Sequence, residues 1–321
     1  MEFKPRIFVG SSKEGYDIAL KISTQLNDIG ECKLWTNAFD LGKSNYENLI
    51  SQIALYDYAV LVATADDTAV SRHKASAAPR DNVLFEFGLF AGGLGRSRVF
   101  YVVEKNTKIP SDLAGITLPF ISHKADADFE QTVNDTIAAI AAHIKDKEST
   151  FDLGFLPSTA LAYGYFYNFV ERTVGRLLED RADGKIFHLQ DDQQFKILDI
   201  KFVILIPDDL TDDMFNKVKA KRLKDGWRKL KVDPKDVRDY DFSVDVSKAV
   251  QGLLYLVDIP FTLNALNKAI SLYSQKEHIG KNEKETLLEY REIRNFKRTL
   301  DYLILTSSLC KGITTTEIVS I

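Results

Sequence analysis

The chain has 321 residues, of which 45% are hydrophobic and 27% charged, and its formal net charge is −4 at pH 7. This length favours two domains in an ordinary soluble protein, and the acidic balance argues against a general nucleic-acid binder. Two isolated cysteines and five scattered histidines suggest neither a disulfide framework nor a metal site. Since the sequence shows no signal-peptide core and no apolar stretch long enough to cross a bilayer, we expect a cytoplasmic protein without a membrane partner.

The first half of the chain alternates short apolar runs with segments of helical periodicity, such as Ile18, Ile22 and Leu26. Strands are predicted over Arg6–Gly10, Lys33–Trp35, Tyr58–Thr64 and Val99–Val103. Helices are predicted after Ser12, over Glu47–Leu55, around Glu86 and over Phe129–Lys145. This alternation is typical of an α/β fold whose parallel sheet is covered on both faces. The charged segment 145–150 lacks periodicity, and we place a domain boundary there, between residues 1–148 and 149–321.

One carboxylate, Glu86, interrupts the otherwise apolar run Arg80–Phe90. An ionised carboxylate on a buried helix face is costly unless it is paired or used. The polar stretch 65–80 is typical of a loop at the carboxyl end of a strand, where open α/β sheets bind ligands. Glu86 is therefore either a functional group or a carboxylate satisfied by Arg80 or a backbone amide, and this run alone favours neither.

Two glycine-containing segments are similar to phosphate-binding loops but fail as such. Gly42-Lys43-Ser44 could end a P-loop, yet the first glycine of that motif would have to replace Asn37. The segment Gly92–Gly95 follows a helix and therefore favours a helix C-cap. Neither segment supports a nucleoside triphosphate or dinucleotide cofactor.

Several separated motifs of the first half occur together in one family. They are Arg6–Gly10 with Ser11-Ser12, Trp35 with Phe39 and Gly42, Ala59–Thr64 with Asp66-Asp67, Arg80–Phe90, Gly95-Arg96 and Ile109–Thr117. Over residues 5–145 they resemble the bacterial TIR-like domain that is fused to nucleotide sensors in antiphage systems. The resemblance implies a flavodoxin-like fold and cleavage of NAD⁺ at the nicotinamide–ribose bond by a glutamate, a position that only Glu86 occupies.

The chemistry agrees with a single carboxylate. Breaking the bond to ribose C1′ builds up oxocarbenium character, and nicotinamide leaves as a neutral pyridine that needs no general acid. One carboxylate can then stabilise the cation or guide water. NAD⁺ is thus a substrate, and its pocket is expected to include Phe8, Ser11, Trp35, Phe39, Asp66 and Asp67. Phe8 is equally suited to the core, Trp35 to simple packing, and Asp66 and Asp67 to a turn.

The second half opens with a helix that is crowded with aromatic residues. Leu156–Thr159 predicts its start, with Ser158 as the N-cap. The aromatic residues are Tyr163, Tyr165, Phe166, Tyr167 and Phe169. Aromatic side chains all round a helix indicate packing on several sides, such as a core together with a dimer interface or a ligand.

The rest of the second half is predicted to mix strands and helices. Apolar strands are predicted over Phe195–Pro207 and Gly252–Ile259, the second leading into a helix that starts at Pro260. The last helix is predicted over Phe296–Leu309, preceded by the charged stretch Glu283–Arg294. The basic segment Lys217–Arg238 indicates either capture of a small anion or a solvated helix face.

This half also carries a resemblance, through the order and spacing of its motifs. They are Leu156–Phe169, Phe202–Leu210, Arg238-Asp239-Tyr240, Asp258–Leu263 with Leu266, and Glu289–Leu303. Over residues 152–321 they resemble the bacterial form of STING, an α+β domain that dimerises and binds cyclic dinucleotides, with cyclic di-GMP expected. The resemblance implies that Phe169 stacks on a nucleobase, that Asp258 and Thr262 read guanine, and that Arg238 contacts phosphate or a purine edge. Arg228 and Lys231 compete with Arg238 for that role.

Together the two resemblances imply a sensor fused to an effector, of the CBASS type of antiviral defence. A symmetric cyclic dinucleotide matches a two-fold homodimer, and head-to-tail stacking of such dimers gives filaments. Ligand binding is expected to drive this assembly and so activate the cleavage of NAD⁺ to nicotinamide and ADP-ribose. The alternative is a cyclic-dinucleotide-gated TIR scaffold that cleaves nothing. A third possibility replaces hydrolysis by transfer or cyclisation of ADP-ribose.

Overall fold

The computed structural model describes residues 4–37, 49–50, 52–71, 74–113, 118–149, 156–188, 194–224, 226–232, 240–273 and 283–321. The chain divides into two compact units, Met1–Gly154 and Phe155–Ile321. Within the described ranges, no helix combines the length and the apolar character needed to span a bilayer.

The first unit is a parallel sheet with helices on both faces. Its elements are β1 (Arg6–Ser11), α1 (Tyr16–Leu26), β2 (Glu31–Leu34), β3 (Tyr58–Ala63), β4 (Asp67–Ser71), β5 (Lys74–Ala78), α2 (Asp81–Leu94), β6 (Val99–Glu104), β7 (Phe120–Ile121) and α3 (Phe129–Ser149). The sheet has the order β2-β1-β3-β6-β7, the flavodoxin-like arrangement, with all of its described pairs parallel. The α/β prediction for this half is therefore confirmed.

Alternation along the buried strands assigns one layer of helices to each face of this sheet. Ile7 and Val9 of β1 belong to a core cluster with residues of α1 and α3. Phe8, between them, lies on the other face and stacks on Phe90 of α2, with 4.5 Å between the ring centroids. The helix that carries Glu86 is thus packed on the face opposite α1 and α3.

Several predicted boundaries of the first unit shift. Trp35 does not end a strand but begins a short 3₁₀ turn, Trp35–Asn37. The stretch predicted as a loop before Glu86 contains the antiparallel hairpin β4–β5, and β7 was not predicted. Of the helix predicted over 47–55, residues 49–50 and 52–53 are helical.

The charged segment at the predicted domain boundary is helical as far as Ser149, where α3 ends. One of its charged side chains, Glu148, accepts a hydrogen bond from the Tyr58 hydroxyl at 2.9 Å. This partner lies 90 residues away in sequence, so no local pattern predicts it. The division between the two units falls after Gly154.

The second unit combines a mixed sheet with packed helices. Its elements are α4 (Pro157–Tyr165), a π-helical turn (Phe166–Val170), α5 (Glu171–Ala182), β8 (Ile186–His188), β9 (Gln194–Lys196), β10 (Asp199–Pro207), α6 (Met214–Arg222), β11 (Trp227–Val232), β12 (Tyr240–Asp245), α7 (Val246–Val250), β13 (Leu253–Asp258), α8 (Thr262–Tyr273), α9 (Glu283–Thr306) and β14 (Thr314–Val319). The sheet order is β11-β12-β13-β10-β14. The strand β10 pairs in parallel with β13 and β14, whereas β12 pairs antiparallel with β11 and β13. The α+β prediction is confirmed.

The prediction that Ser158 is an N-cap is wrong. The helix α4 begins at Pro157, and Ser158 is fully buried within its first turn. Its amide donates to Glu292 Oε2 at 3.0 Å, and its hydroxyl accepts from Asn295 Nδ2 at 2.9 Å. A carboxylate from a distant helix therefore takes over the capping that a local side chain was expected to provide.

The charged stretch Glu283–Arg294 was expected to precede a helix, but it forms the first half of the single helix α9. Two of its buried carboxylates hold backbone amides from other parts of the chain. Glu289 accepts from the amide of Leu210, and Glu292 accepts from that of Ser158. The run Phe195–Pro207 is divided between β9 and β10, Pro260 precedes α8, and β14 was not predicted.

Candidate functional sites

The first candidate site lies at the carboxyl ends of β1 and β3. The chain connects β1 to β2 on one side and β3 to β6 on the other, so the strand order reverses between these two strands. A crevice at such a reversal is the usual ligand site of an open parallel sheet. The helix α2 places Glu86 beside this reversal, next to Gly10 near the end of β1.

The position of Glu86 depends on the absence of a side chain at Gly10. Phe8 and Gly10 alternate onto the same face of β1, and Glu86 and Phe90 share a face of α2. A Cβ atom added to Gly10 would lie 3.3 Å from Glu86 Oε2 and 2.7 Å from Leu61 Cδ1. The carboxylate therefore lies directly over the backbone of β1 near its end.

The environment of Glu86 is electrostatically unusual. Among the described residues, its carboxylate makes no hydrogen bond and no ion pair, and burial raises its pKa to about 7. Arg80, one of the two possible partners that the sequence offered, instead pairs with Glu14, with 2.8 Å between Nη2 and Oε1. The interpretation that Arg80 pairs with Glu86 is therefore wrong. Glu86 is instead a half-buried carboxylate whose pKa lies near neutral pH. Such perturbed groups in crevices are frequent at functional sites.

The other residues predicted for the NAD⁺ pocket lie at varying distances from this carboxylate. Phe8 is fully buried and, like Glu86, would contact a side chain added at Gly10. Ser11 is buried at the end of β1, and its hydroxyl donates to the carbonyl of Ser12 at 2.9 Å. Trp35 is half-buried after β2, and Phe39 lies outside the described residues.

The two aspartates are placed differently. Asp66 accepts a hydrogen bond from Thr64 at 2.9 Å and borders a cleft of about 310 Å³ between α1 and α3. This cleft lies between the two helices that cover the sheet face opposite α2. Asp67 is exposed and begins the hairpin β4–β5.

The second candidate site is built around Asp258, the last residue of β13. The Tyr165 hydroxyl donates to Asp258 Oδ2 at 2.6 Å. Four residues after Tyr165, Phe169 lies in the π-helical turn, and the two ring centroids are 5.3 Å apart. Phe169 is buried and stacks on Phe242, with 5.4 Å between ring centroids and 12° between ring planes. The structure therefore brings two predicted residues, Phe169 and Asp258, together through Tyr165.

Thr262 begins α8, four residues after Asp258. Its hydroxyl oxygen is buried and has no hydrogen-bond partner among the described residues. Buried polar atoms are normally hydrogen-bonded, so this hydroxyl is a candidate to meet a polar group of a ligand.

The pKa of Asp258 reflects opposing causes. Burial raises it to about 6, while the hydrogen bonds from Tyr165 and from the Ile259 backbone, and the charge of Lys219, act to lower it. The group is therefore largely ionised at neutral pH and accepts hydrogen bonds there.

Arg238 lies outside the described residues. Its two competitors, Arg228 and Lys231, are exposed on the strand β11, and Arg228 donates to the carbonyl of Trp227 at 3.1 Å. The basic segment is thus not one helix but is shared between α6 and β11. Across the described residues, no group of three histidine, cysteine, aspartate or glutamate side chains is placed to hold a metal ion.

Sequence reasoning did not identify Gly10, Tyr165 and Phe242 as parts of these sites. Gly10 ends the motif Arg6–Gly10, but its closeness to Glu86 joins residues 76 positions apart and leaves no local pattern. Tyr165 was noticed only as one of five aromatic residues. Its spacing of four from Phe169 was the available signal that the two share a side of the helix.

Comparison with known proteins agrees with this two-part architecture. A family model described as "CAP12/Pycsar effector protein, TIR domain" matches residues 6–123, and one described as "Prokaryotic STING domain" matches residues 157–301. The chain is therefore a fusion of a TIR domain with a prokaryotic STING domain, as the motifs predicted.

The relatives extend the similarity over the whole chain. The CD-NTase-associated protein 12 of Flavobacterium daejeonense is 40% identical over 315 residues, which are 97% of this chain and 97% of that protein. A protein of the same name from Lachnospiraceae bacterium (strain RUG226) is 33% identical and covers 96% of each chain. This chain belongs to the CD-NTase-associated protein 12 family.

Among solved structures, one described as bacterial STING in complex with c-di-GMP is 26% identical. It covers 50% of this chain and 98% of its own, with a TM-score of 0.44.

Proposed function

We propose that this protein is a cyclic di-GMP-activated NAD⁺ hydrolase that acts in antiviral defence in the cytoplasm. The observation that carries the proposal is Glu86, a half-buried carboxylate with a raised pKa at the carboxyl ends of the sheet strands. Membership of the CD-NTase-associated protein 12 family supports the coupling to a nucleotide signal.

In the proposed reaction, water replaces nicotinamide at ribose C1′ and the products are nicotinamide, ADP-ribose and a proton. Ionised Glu86 stabilises the positive charge that develops on the ribose and accepts a proton from the attacking water. The apolar side chains of Phe8 and Leu61, which meet Glu86 at Gly10, strengthen this interaction because they lower the local polarity.

The proposed sensor site uses the groups around Asp258. The carboxylate and the unpartnered Thr262 hydroxyl would bind the hydrogen-bonding edge of guanine, and Phe169 would stack on a base. Arg238 is proposed to contact phosphate. Ligand binding activates the effector only if the ligand prefers the assembled dimer or filament.

The test is NAD⁺ consumption by the purified full chain with and without cyclic di-GMP, with products separated by chromatography. Glu86→Gln should abolish ligand-dependent cleavage, with a loss of at least about a hundredfold, as expected for a main electrostatic group. The matched control is Glu130→Gln, which removes an exposed carboxylate of α3 from the same unit.

Three other outcomes would change the proposal. Intact NAD⁺ together with ligand-dependent assembly would favour the scaffold. Consumption of NAD⁺ without release of free ADP-ribose would favour transfer or cyclisation. Full activity of Glu86→Gln would remove Glu86 from catalysis.

A further inference from the structure

Tyr165 occupies a place in the second unit that the proposed function leaves unexplained. It is buried, its ring packs beside Phe169 and Phe296, and its hydroxyl donates to Asp258 Oδ2 at 2.6 Å. A hydrogen bond this short between a phenol and a carboxylate is typical of a charge-assisted bond, about twice as strong as a neutral one.

The helix that carries Tyr165 is itself held in place from α9. Glu292 accepts from the Ser158 amide, and Asn295 Nδ2 donates to Ser158 Oγ at 2.9 Å and Thr159 Oγ1 at 2.7 Å. These three bonds fix the first turn of α4, two turns before Tyr165. Because the helix is anchored in this way, Tyr165 lies at a fixed position relative to Asp258.

The effect of this bond on Asp258 is one of orientation. An ionised carboxylate offers two oxygens with about four acceptor positions, and Tyr165 takes one position on Oδ2. Guanine presents adjacent ring and amino N–H donors on one edge. A carboxylate accepts from both donors only when it is ionised and its plane is aligned with the base. Free rotation of the carboxylate would cost binding free energy when the base arrives.

We infer that Tyr165 is a positioning residue of the sensor, whose hydroxyl orients the Asp258 carboxylate and keeps it ionised to accept hydrogen bonds from guanine. This inference rests on the proposed function, because it assigns a role within the cyclic di-GMP site. A role confined to stability of the fold is the competing explanation, and the experiment below separates the two.

The groups around Asp258 determine how the affinity for cyclic di-GMP should depend on pH. Tyr165 from α4 and Lys219 from α6 both favour the ionised carboxylate, as does the backbone N–H of Ile259, and burial opposes it. Cyclic di-GMP affinity should therefore be constant above pH 7 and fall below about pH 6, where the carboxylate takes up a proton. Removing the Tyr165 hydroxyl removes one stabilising donor, so this fall should begin at a higher pH.

The experiment is calorimetric titration of the full chain with cyclic di-GMP from pH 5.5 to pH 8, comparing wild type with Tyr165→Phe. We expect about tenfold weaker binding at pH 7 and a fall in affinity that starts closer to neutral pH. The matched control is Tyr163→Phe, which removes an exposed hydroxyl from the same helix and should bind as wild type does. Reversible unfolding raises the apparent dissociation constant only by the inverse of the folded fraction, so it would imitate a tenfold loss only in a variant that is about nine-tenths unfolded, which thermal unfolding would reveal.

Each result decides the matter. Wild-type affinity and an unchanged pH profile in Tyr165→Phe would overturn the inference alone. A uniform loss of affinity with the profile unchanged would also overturn it, because removal of a hydroxyl that keeps the carboxylate ionised must shift the pH at which affinity falls. Absence of cyclic di-GMP binding in the wild type would overturn the sensor function and this inference with it.

Discussion

At the scale of single residues, the first candidate site depends on Gly10, which has no Cβ atom. Gly10 leaves room for Leu61, Phe8 and Glu86, whose nearest atoms would lie 2.7, 2.9 and 3.3 Å from an added Cβ. Leu61, Phe8 and Glu86 therefore converge on the space that the missing side chain of Gly10 leaves.

Gly10→Ala should displace Glu86 and overpack the core between β1 and α2. We expect a loss of about 1–3 kcal/mol in the free energy of unfolding and a clear loss of NAD⁺ cleavage. Denaturant unfolding and the NAD⁺ assay check the two effects. In α2, Gly88→Ala is the control, because an added Cβ there meets nothing within 4 Å and should stabilise the helix by up to about 1 kcal/mol. Unchanged activity in Gly10→Ala would contradict the placement of Glu86.

The raised pKa of Glu86 predicts linked effects on activity and stability. With cyclic di-GMP saturating at every pH, cleavage should rise as pH increases through about 7, because the ionised carboxylate is the active form. The carboxyl ionises at lower pH in the unfolded chain, so folding is progressively disfavoured as pH rises from about 4.5 to about 7.

Glu86→Gln should therefore unfold at a higher temperature than wild type at pH 8 and at nearly the same temperature at pH 4.5. Thermal unfolding at the two pH values provides the measurement, with Glu130→Gln as the exposed control. Equal unfolding temperatures of wild type and Glu86→Gln at pH 8 would show that the carboxylate is not desolvated.

At the scale of secondary-structure elements, the buried charges of α9 act as clamps on other elements. Glu292 supplies the acceptor that the first turn of α4 lacks, since the N-cap residue Leu156 has no side-chain oxygen. The helix bearing Tyr165 and Phe169 thus depends on an element more than a hundred residues away in sequence.

Glu292→Gln should lower the free energy of unfolding by about 1–3 kcal/mol, because it removes a charge that is hydrogen-bonded in a buried position. Unfolding of the full chain in urea measures this loss. Glu283→Gln, at the exposed start of α9, should change the stability by less than about 0.5 kcal/mol. A similar loss in both variants would contradict the clamp.

Helices and strands that carry a clear apolar pattern in their own residues were predictable from the sequence. The helices α1 and α2 and the strands β1, β3 and β6 have their own apolar periodicity. The first half of α9 was not predictable, because its charges are compensated by amides that only the folded chain brings near. The hairpin β4–β5 and the strand β14 lack an apolar run of the expected kind, so their pairing partners decide their conformation.

The residues of the candidate sites also divide into those that the sequence predicts and those that it does not. Glu86 was predictable because one carboxylate within an apolar helix is anomalous in itself. The roles of Gly10 and Tyr165 depend on contacts with residues 76 and 93 positions away, and no pattern in the sequence records such a contact.

At the scale of the whole molecule, sensing and cleavage are assigned to different units, so they should be separable by mutation. At a hundred times its dissociation constant, cyclic di-GMP should stabilise the protein by about 2.7 kcal/mol. Thermal unfolding with and without the ligand measures this effect. Glu86→Gln should keep the ligand-induced stabilisation and lose cleavage, whereas Asp258→Asn should lose both. Loss of the stabilisation in Glu86→Gln would contradict the separation.

The pairing of β14 with β10 has a consequence for how the protein is made. Phe202 of β10 lies opposite Thr314, so one edge of β10 stays unpaired until a segment more than a hundred residues later has been synthesised. The apolar row from Phe202 to Ile206 is then an open edge, which favours aggregation over a stable fold. The second unit therefore completes its sheet only once Thr314–Val319 has been synthesised, whereas the first unit can fold earlier on the ribosome.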